Sequence, residues 1–374
     1  MPHARLDRTQ LAFYPLAERH NKVEIERDHV PADGSPPDMR PALVENVQRV
    51  ACQIAAARAR NRPVVLAFGA HTIKNGLAPV LIELMRTGCV QHLATNGAGI
   101  IHDWEFAFQG KTSEDVRANT AQGRFGMWQE TGFHINLAIA LGALDGLGYG
   151  ESVGRLITEE SHDVPERDAL VKQIREGTGS QEDLDRAAAS ADLLRLLETN
   201  RIDSGRMETP HPWKGFSVQA AAFELGIPFT AHPMFGHDII YTHPVNCGAA
   251  VGRTAERDFL AFAHTIADLT EGIYLSVGSA VMSPMIFEKS LSMAQNLAGR
   301  RGEQIHDHTI VVVDLAENRW DWQKGEPPPE TPEYYLRYCK TFSRMGGRMH
   351  YVQADNRQFL PALLHALKAP SKKQ

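Results

Sequence analysis

A chain of 374 residues has room for one large domain or two small ones. With 43% apolar and 22% charged residues it can bury an ordinary core, which excludes disorder as the starting expectation. A net charge of −6 without an acidic or basic block excludes a dedicated nucleic-acid surface and an anionic-membrane surface.

Cys52, Cys89, Cys247 and Cys339 are scattered and form no CxxC pair. Neither a zinc ribbon nor a disulfide framework is expected, and a reduced, cytoplasmic setting fits. The opening MPHARLDRTQ has no apolar segment, so a secretory signal is not expected. No apolar run approaches the roughly 20 residues of a membrane span.

Residues 1–40 are polar and Pro-rich and read as an arm or a pair of short turns. Residues 41–60 carry apolar positions at helical spacing. PVVLAFGAH follows, a β-branched run entering a Gly turn, as a buried parallel strand does. GLAPVLIELMRTG reads as a helix with Gly88 beyond its end, and VQHLATNGAG as a second strand with a Gly-rich exit. Together they make a βαβ unit. Residues 104–149 read as helical with Gly breaks, and 151–210 as a charged, helical insertion.

Alternation then returns. IPFTAHP, GIYLSVG, HTIVVVDLAE and RMHYVQAD read as strands, with helices between them that include a continuous PEYYLRYCKTFSRMG. The expected fold is α/β: a doubly wound, mostly parallel sheet with helices on both faces. The expected organisation is an N-terminal arm over 1–40 and a single α/β domain over 41–374, with the insertion at about 151–210.

In such sheets ligands bind beyond the carboxyl ends of the strands. Those ends are Gly69-Ala70-His71-Thr72, Asn96-Gly97-Ala98-Gly99, His232-Pro233, Gly278-Ser279-Ala280, Asp314-Leu315-Ala316 and Ala354-Asp355-Asn356. Small residues there let backbone approach a phosphate, although a tight turn also calls for glycine. The GxGxxG fingerprint is absent; GYGESVG at 148–154 has one residue too many.

His102, Asp103 and Glu105 put three ionisable groups within four residues of a strand exit. They read either as a polar site or as caps for a helix start. HPMFGHDIIYTHP carries His232, His237, Asp238 and His243, but at no common zinc spacing, so no metal is expected. Lys340, beside Tyr338, Cys339 and Phe342, reads either as a solvated helix lysine or as a half-buried amine able to form an imine.

GAHTIKNGLAPVLIELMRTGCVQHLATNGAGIIHD, IPFTAHPMFGHDIIY, GIYLSVGSAVMSPMI, IVVVDLAEN, PEYYLRYCKTF and VQADNRQFLPALL follow one another in the order of segments of deoxyhypusine synthase, and the chain resembles that family over about residues 60–365. Pro332, Glu333, Tyr338 and Lys340 match the approach to that family's catalytic lysine. The resemblance implies a homotetramer that binds NAD and a small amine, with an aminobutyl or related group passed through a lysine imine. Lys340 would be the nucleophile. Asn96, Gly97, Ala98, Gly99, Gly278, Leu315, Ala316, Asp355, Asn356 and Thr72 would contact NAD. His102, Asp103, Glu105, His237, Asp238 and Tyr338 would face the amine. The family's paired glutamates fall on Ile101 and His102, so an amine other than spermidine, and an acceptor other than a translation factor, are expected.

NGAGIIHDWEFAFQGKTSED also resembles the NAD-dependent ornithine cyclodeaminase domain of archaeal type, which implies deamination centred on His102, Asp103 and Glu105. A non-catalytic NAD-binding or scaffolding protein is the third expectation.

Overall fold

A computed structural model describes residues 3–369 of the chain. The chain divides into two compact units, each assembled from separated stretches of sequence. Unit 1 comprises Met1–Arg27, Ile100–Ala220 and Pro233–Arg257, and unit 2 comprises Asp28–Gly99, Ala221–His232 and Asp258–Gln374.

Among the described residues, unit 2 is built on six parallel strands: β1 (Val64–Phe68), β2 (His92–Thr95), β3 (Phe229–Ala231), β4 (Ile273–Val277), β5 (Thr309–Asp314) and β6 (Arg348–Gln353). Their order across the sheet is β6-β5-β4-β1-β2-β3. The central strands VVLAF and IYLSV are buried on both faces, which is why they read as unbroken apolar runs. Register pairs Leu66 with Leu275 and Ala67 with Ala94.

The chain therefore builds outward from β1 to β3, returns to the middle, and builds outward again from β4 to β6. Right-handed crossovers in the two halves put their helices on opposite faces. Helix Pro41–Ala59 buries Leu43, Val47, Val50, Ile54 and Ala57 at helical spacing, and it packs on one side with Ala78–Arg86 and Asn356–Lys368. On the other side Met282–Gly299 and Arg337–Ser343 bring Phe287 and Phe342 against Val65, Ala67, Tyr274 and Val312. The doubly wound α/β expectation is met here. One helix departs from it. PEYYLRYCKTFSRMG divides into a 3-10 turn at Pro332–Tyr335 and a helix at Arg337–Ser343, because Leu336 leaves helical geometry at ψ 73°.

Unit 1 contains the segment expected as a charged insertion, including helices Arg167–Glu176 and Gln181–Asn200. Residues 104–149 are not helical throughout. Helix Gly97–Gln109 ends at Gly110, and Lys111–Glu114 forms a strand antiparallel to Asn21–Glu24. KTSE has no apolar alternation, so only its pairing makes it a strand. Likewise Ser161–Val164 pairs antiparallel with Gly205–Glu208.

The first residues are tied down by Arg19. Its guanidinium grips Glu105 with two hydrogen bonds, 2.6 and 2.7 Å, and both side chains are buried. Glu105 also accepts from Thr131 (3.0 Å) and Thr112 (2.5 Å). Burial raises the Glu105 pKa, but the charge and hydrogen bonds of Arg19, with His102 and Thr112, outweigh it and leave the carboxyl below its ordinary value. Among the described residues no helix is long and apolar enough to cross a membrane.

Removing one partner of a buried, hydrogen-bonded ion pair strands the other charge. Arg19→Ala is therefore expected to destabilise the protein by about 3–5 kcal/mol. Chemical denaturation of the variant checks this; a loss below about 1 kcal/mol would show that Glu105 finds water or another partner.

Candidate functional site at the strand ends of the parallel sheet

The sheet changes direction between β1 and β4. The loops leaving these two strands cannot both continue to the same side, so a crevice opens beyond their carboxyl ends. Gly69 follows β1 and Gly278 follows β4. A Cβ on Gly69 would stand 2.1 Å from the Gly278 carbonyl oxygen, so the two loops touch backbone to backbone. Gly278 itself sits at φ +58°, where side chains are disfavoured. Its N–H donates to Val313 O (2.9 Å), and Gly69 N–H donates to Val277 O (3.2 Å).

On the β4-β5-β6 side of this point lies a cavity of about 240 Å³. Gly278, Val313, Asp314 and Leu315 line one wall, Ala354, Asp355 and Asn356 another, and His71 and Asn75 the β1 side. Asp355 caps helix Asn356–Lys368 by accepting from Arg357 N–H (2.8 Å) through Oδ1. Asp314 Oδ1 accepts from Ala316 N–H (3.0 Å). Asn356 is held from both sides: its Nδ2 donates to Thr72 Oγ1 (3.3 Å), and its Oδ1 accepts from Asn75 Nδ2 (2.8 Å). Tyr351 donates to Ala316 O (2.6 Å), which fixes the turn after β5. Burial, helped by the charge of Lys74, pushes the His71 pKa down, so its ring is uncharged at neutral pH.

Beyond β2, Asn96 accepts from Gly99 N–H (2.9 Å) and starts helix Gly97–Gln109 at the strand exit. A helix N-terminus at this place presents N–H groups suited to an anion. The sheet thus gathers Thr72, Gly278, Leu315, Ala316, Asp355 and Asn356 at neighbouring strand ends, with Asn96–Gly99 one strand further on. Five liners were not among the expected site residues: His71, Asn75, Val313, Asp314 and Ala354. Alternation placed His71 and Asp314 at strand exits. Asn75 carries no sequence signal, since the short helix His71–Lys74 brings it there.

The ionisable residues after β2 belong to unit 1, and their partners are within it. Asp103 is buried, and its carboxylate accepts from Ser217 Oγ (2.6 Å), Val218 N–H (2.9 Å), Gln219 N–H (3.2 Å) and Gln219 Nε2 (3.0 Å). It is a remote cap for helix Val218–Leu225. Burial raises its pKa against these hydrogen bonds. His102 is the least buried of the three; its Nδ1 lies 2.7 Å from Thr112 Oγ1, whose hydroxyl donates to Glu105. His237 is exposed and Asp238 half-buried, and burial pushes the Asp238 carboxyl up to about 6.

Lys340 and Tyr338 lie in unit 2. Lys340 Nζ pairs with Glu326 at 2.6 Å and stands 3.5 Å from the Tyr334 ring centroid. Tyr338 packs against the core around Phe287 and Phe342. Neither lines the cavity beside Gly278.

Two histidines of the 232–243 segment, His232 and His243, are satisfied internally. His92 Nε2 and His232 Nε2 share the Thr230 hydroxyl at 3.1 and 3.0 Å, and His243 meets Gln129 and Val245. Among the described residues no group of three or more His, Cys, Asp or Glu is placed to hold a metal.

No protein-family model and no curated protein sequence matches the chain. Solved structures do. A structure of AgrE with ornithine and NAD+ matches at 14% identity and TM-score 0.43, covering 88% of this chain and 34% of that one. A conserved putative LOR/SDH protein from Methanococcus maripaludis S2 matches at 11% and 0.43, covering 91% and 73%. ArgZ, an arginine dihydrolase of the cyanobacterial ornithine-ammonia cycle, matches at 14% and 0.41, covering 89% and 33%. The chain thus spans about a third of the length of AgrE and ArgZ.

These matches correct the expected kinship with deoxyhypusine synthase: none of these proteins is one. Most of the segments behind that expectation are strands, their exits and the helices between them, which any doubly wound sheet needs. The lysine imine, the polyamine chemistry and the homotetramer rested on it and are not carried forward.

His92 and His232 give this unit a pH signature. Burial drives both pKa values down to about 3, aided for His232 by His92. The folded state refuses protons that the unfolded chain takes up near pH 6.5. Their contribution is complete above pH 6.5 and falls toward pH 3 by about 1.4 kcal/mol per pH unit for each histidine. Urea unfolding is expected to show lower stability at pH 5 than at pH 7, with a shallower slope in His92→Gln; equal slopes would show that His92 protonates in the folded state.

Proposed function

We propose that the chain is an NAD-dependent enzyme that deaminates a small amine-bearing amino acid, in the manner of ornithine cyclodeaminase. One observation carries the cofactor half of this reading: the strand order β3-β2-β1-β4-β5-β6 reverses at Gly69 and Gly278, where dinucleotides bind in sheets of this order. The residues present fit the group. Gly278, whose missing Cβ opens onto free space, admits close approach by a pyrophosphate, and the start of helix Gly97–Gln109 offers N–H donors. Asp355 and Asp314 are carboxylates suited to ribose hydroxyls, with Asn356 beside them. Leu315, 69% exposed at the cavity edge, offers an apolar surface to a ring.

NAD, when bound, supplies reversible hydride acceptance at an amine-bearing carbon, which loosens a C–N bond that otherwise breaks slowly. For the substrate half we propose His102 and Asp238, both residues of unit 1. His102 is turned by Thr112, which Glu105 and Arg19 hold in place. Asp238, with a pKa near 6, is matched to accepting and returning a proton near neutral pH. Asp103 and Glu105 act as positioning residues, since their oxygens are occupied by the protein itself. Lys340 has no part in this chemistry: its Nζ is taken up by the ion pair with Glu326.

NAD and L-ornithine, the two molecules present with AgrE, are the probes. Asp355→Asn keeps an acceptor for the helix cap but loses the charge. It is expected to weaken NAD binding at least tenfold by calorimetry, about 1.4 kcal/mol. Ammonia release from L-ornithine with NAD is expected in the wild type, lost in Asp238→Asn and retained in Lys340→Ala. NAD binding without ammonia release from basic amino acids would favour the non-catalytic reading, and absence of NAD binding at millimolar ligand would refute the proposal.

A further inference from the structure

Unit 1 holds a separate cavity that the reading above does not use. It lies along helices Gln129–Asp145 and Tyr149–Glu159 and strand Ser161–Val164, and its volume is about 330 Å³. That is within the range of small-molecule sites, roughly 300–1,000 Å³. Its walls carry Asp145, Arg155, Glu159, Ser161, His162 and Asp163.

The charges are unevenly committed. Arg155 gives Nη1 to Asp145 at 2.7 Å. Asp163 meets Arg206 at 3.3 Å on the exposed side. The Glu159 carboxylate has no hydrogen-bond or ion-pair partner among the described residues. Glu159 also ends its helix, where the carbonyl pole favours a cation.

His162 adds an independent sign. Its side chain is buried, at 2% exposure, yet it lines the cavity. Nε2 lies 3.1 Å from His134 Nδ1, with the two rings stacked 3° from parallel. That fixes one nitrogen inward, and Nδ1 has no partner among the described residues. Burial, reinforced by His134, His211 and Arg155, drives the His162 pKa down to about 3, so the ring opposes no incoming cation at neutral pH. A polar ring nitrogen with no protein partner, a lone carboxylate and a partly committed guanidinium face one small space.

We propose that this cavity binds an amino acid with a second, terminal ammonium group, taking the ammonium on Glu159 and His162 and the carboxylate on Arg155. It is a second site, built wholly from unit 1, and it does not depend on NAD or on turnover. A basic amino acid bound there has the chemistry of the substrate proposed above, so the site is suited to sensing that substrate or a relative.

The test is calorimetry of the full chain without NAD, so that no turnover occurs, using L-ornithine, L-norvaline (the same chain without the terminal amine) and L-glutamate. Glu159 is exposed and unpaired, so Glu159→Gln leaves the fold intact, which an unchanged melting temperature checks. L-ornithine is expected to show a binding event in the wild type that weakens at least tenfold in Glu159→Gln, while NAD affinity stays the same. The His162 ring signal, assigned by its loss in His162→Gln, is expected to shift on adding L-ornithine and not L-norvaline. The proposal is overturned if Glu159→Gln titrates like the wild type, if L-norvaline or L-glutamate binds as tightly as L-ornithine, or if the His162 signal does not move. Failure of NAD binding would leave the ornithine event and its loss in Glu159→Gln intact, so this site and the proposed reaction are tested separately.

Discussion

The backbone contact between Gly69 and Gly278 is the constraint on which unit 2 depends. β1 and β4 are hydrogen-bonded neighbours, yet the chain reaches β4 only after building β2 and β3 on the other side. The loops leaving β1 and β4 must therefore turn apart from a common point. At that point no room exists for even one Cβ on Gly69. The crevice beyond them is a geometric consequence of that divergence, and the residues lining it are those that happen to follow four strand ends. Their precision comes from the protein's own hydrogen bonds: Asn356 between Thr72 and Asn75, Asp314 on Ala316, and Asp355 on Arg357. Each of these side chains meets the cavity already oriented, which lowers the ordering cost of binding.

Unit 1 solves a different problem. It encloses charges within a fold whose stretches are far apart in sequence. Glu105 and Asp103 sit on one helix and point to different partners, one to Arg19 near the N-terminus and one to the start of helix Val218–Leu225. A buried carboxylate without such partners would cost several kcal/mol. With them, it joins segments about 85 and 115 residues apart. Unpaired buried charge is costly, so a carboxylate without such partners is either exposed, as Glu159 is, or has its pKa raised by burial, as Asp238 has. Exposure without an internal hydrogen bond is what makes Glu159 available to a ligand.

The histidines divide along the same line. His92 and His232 share Thr230 and serve the core, while His162 gives one nitrogen to His134 and keeps a face on a cavity. All are neutral at pH 7 because burial disfavours the charged ring. Neutral histidine is a useful lining for a site that takes a cation. The same neutrality makes the fold sensitive to acid.

By itself the sequence determined the sheet and the places where its strands end. β-branched runs closed by glycine or by an aspartate, as in VVLAFG, IYLSVG and TIVVVD, read as buried parallel strands, because burial on both faces demands unbroken apolar stretches and their length and flanks suit strands. Strand exits such as Gly278 and Asp355 were legible for that reason. The tertiary structure alone decided the rest. It made a strand of KTSE by pairing it with Asn21–Glu24, and it divided the chain into units whose parts are interleaved in sequence. It turned Asp103 and Glu105 from apparent ligand groups into internal anchors, and it placed Lys340 on Glu326. Local spacing specifies backbone geometry over a turn or a strand. Which carboxylate finds a guanidinium or a helix end a hundred residues away is settled only when burial forces every charge to find a partner.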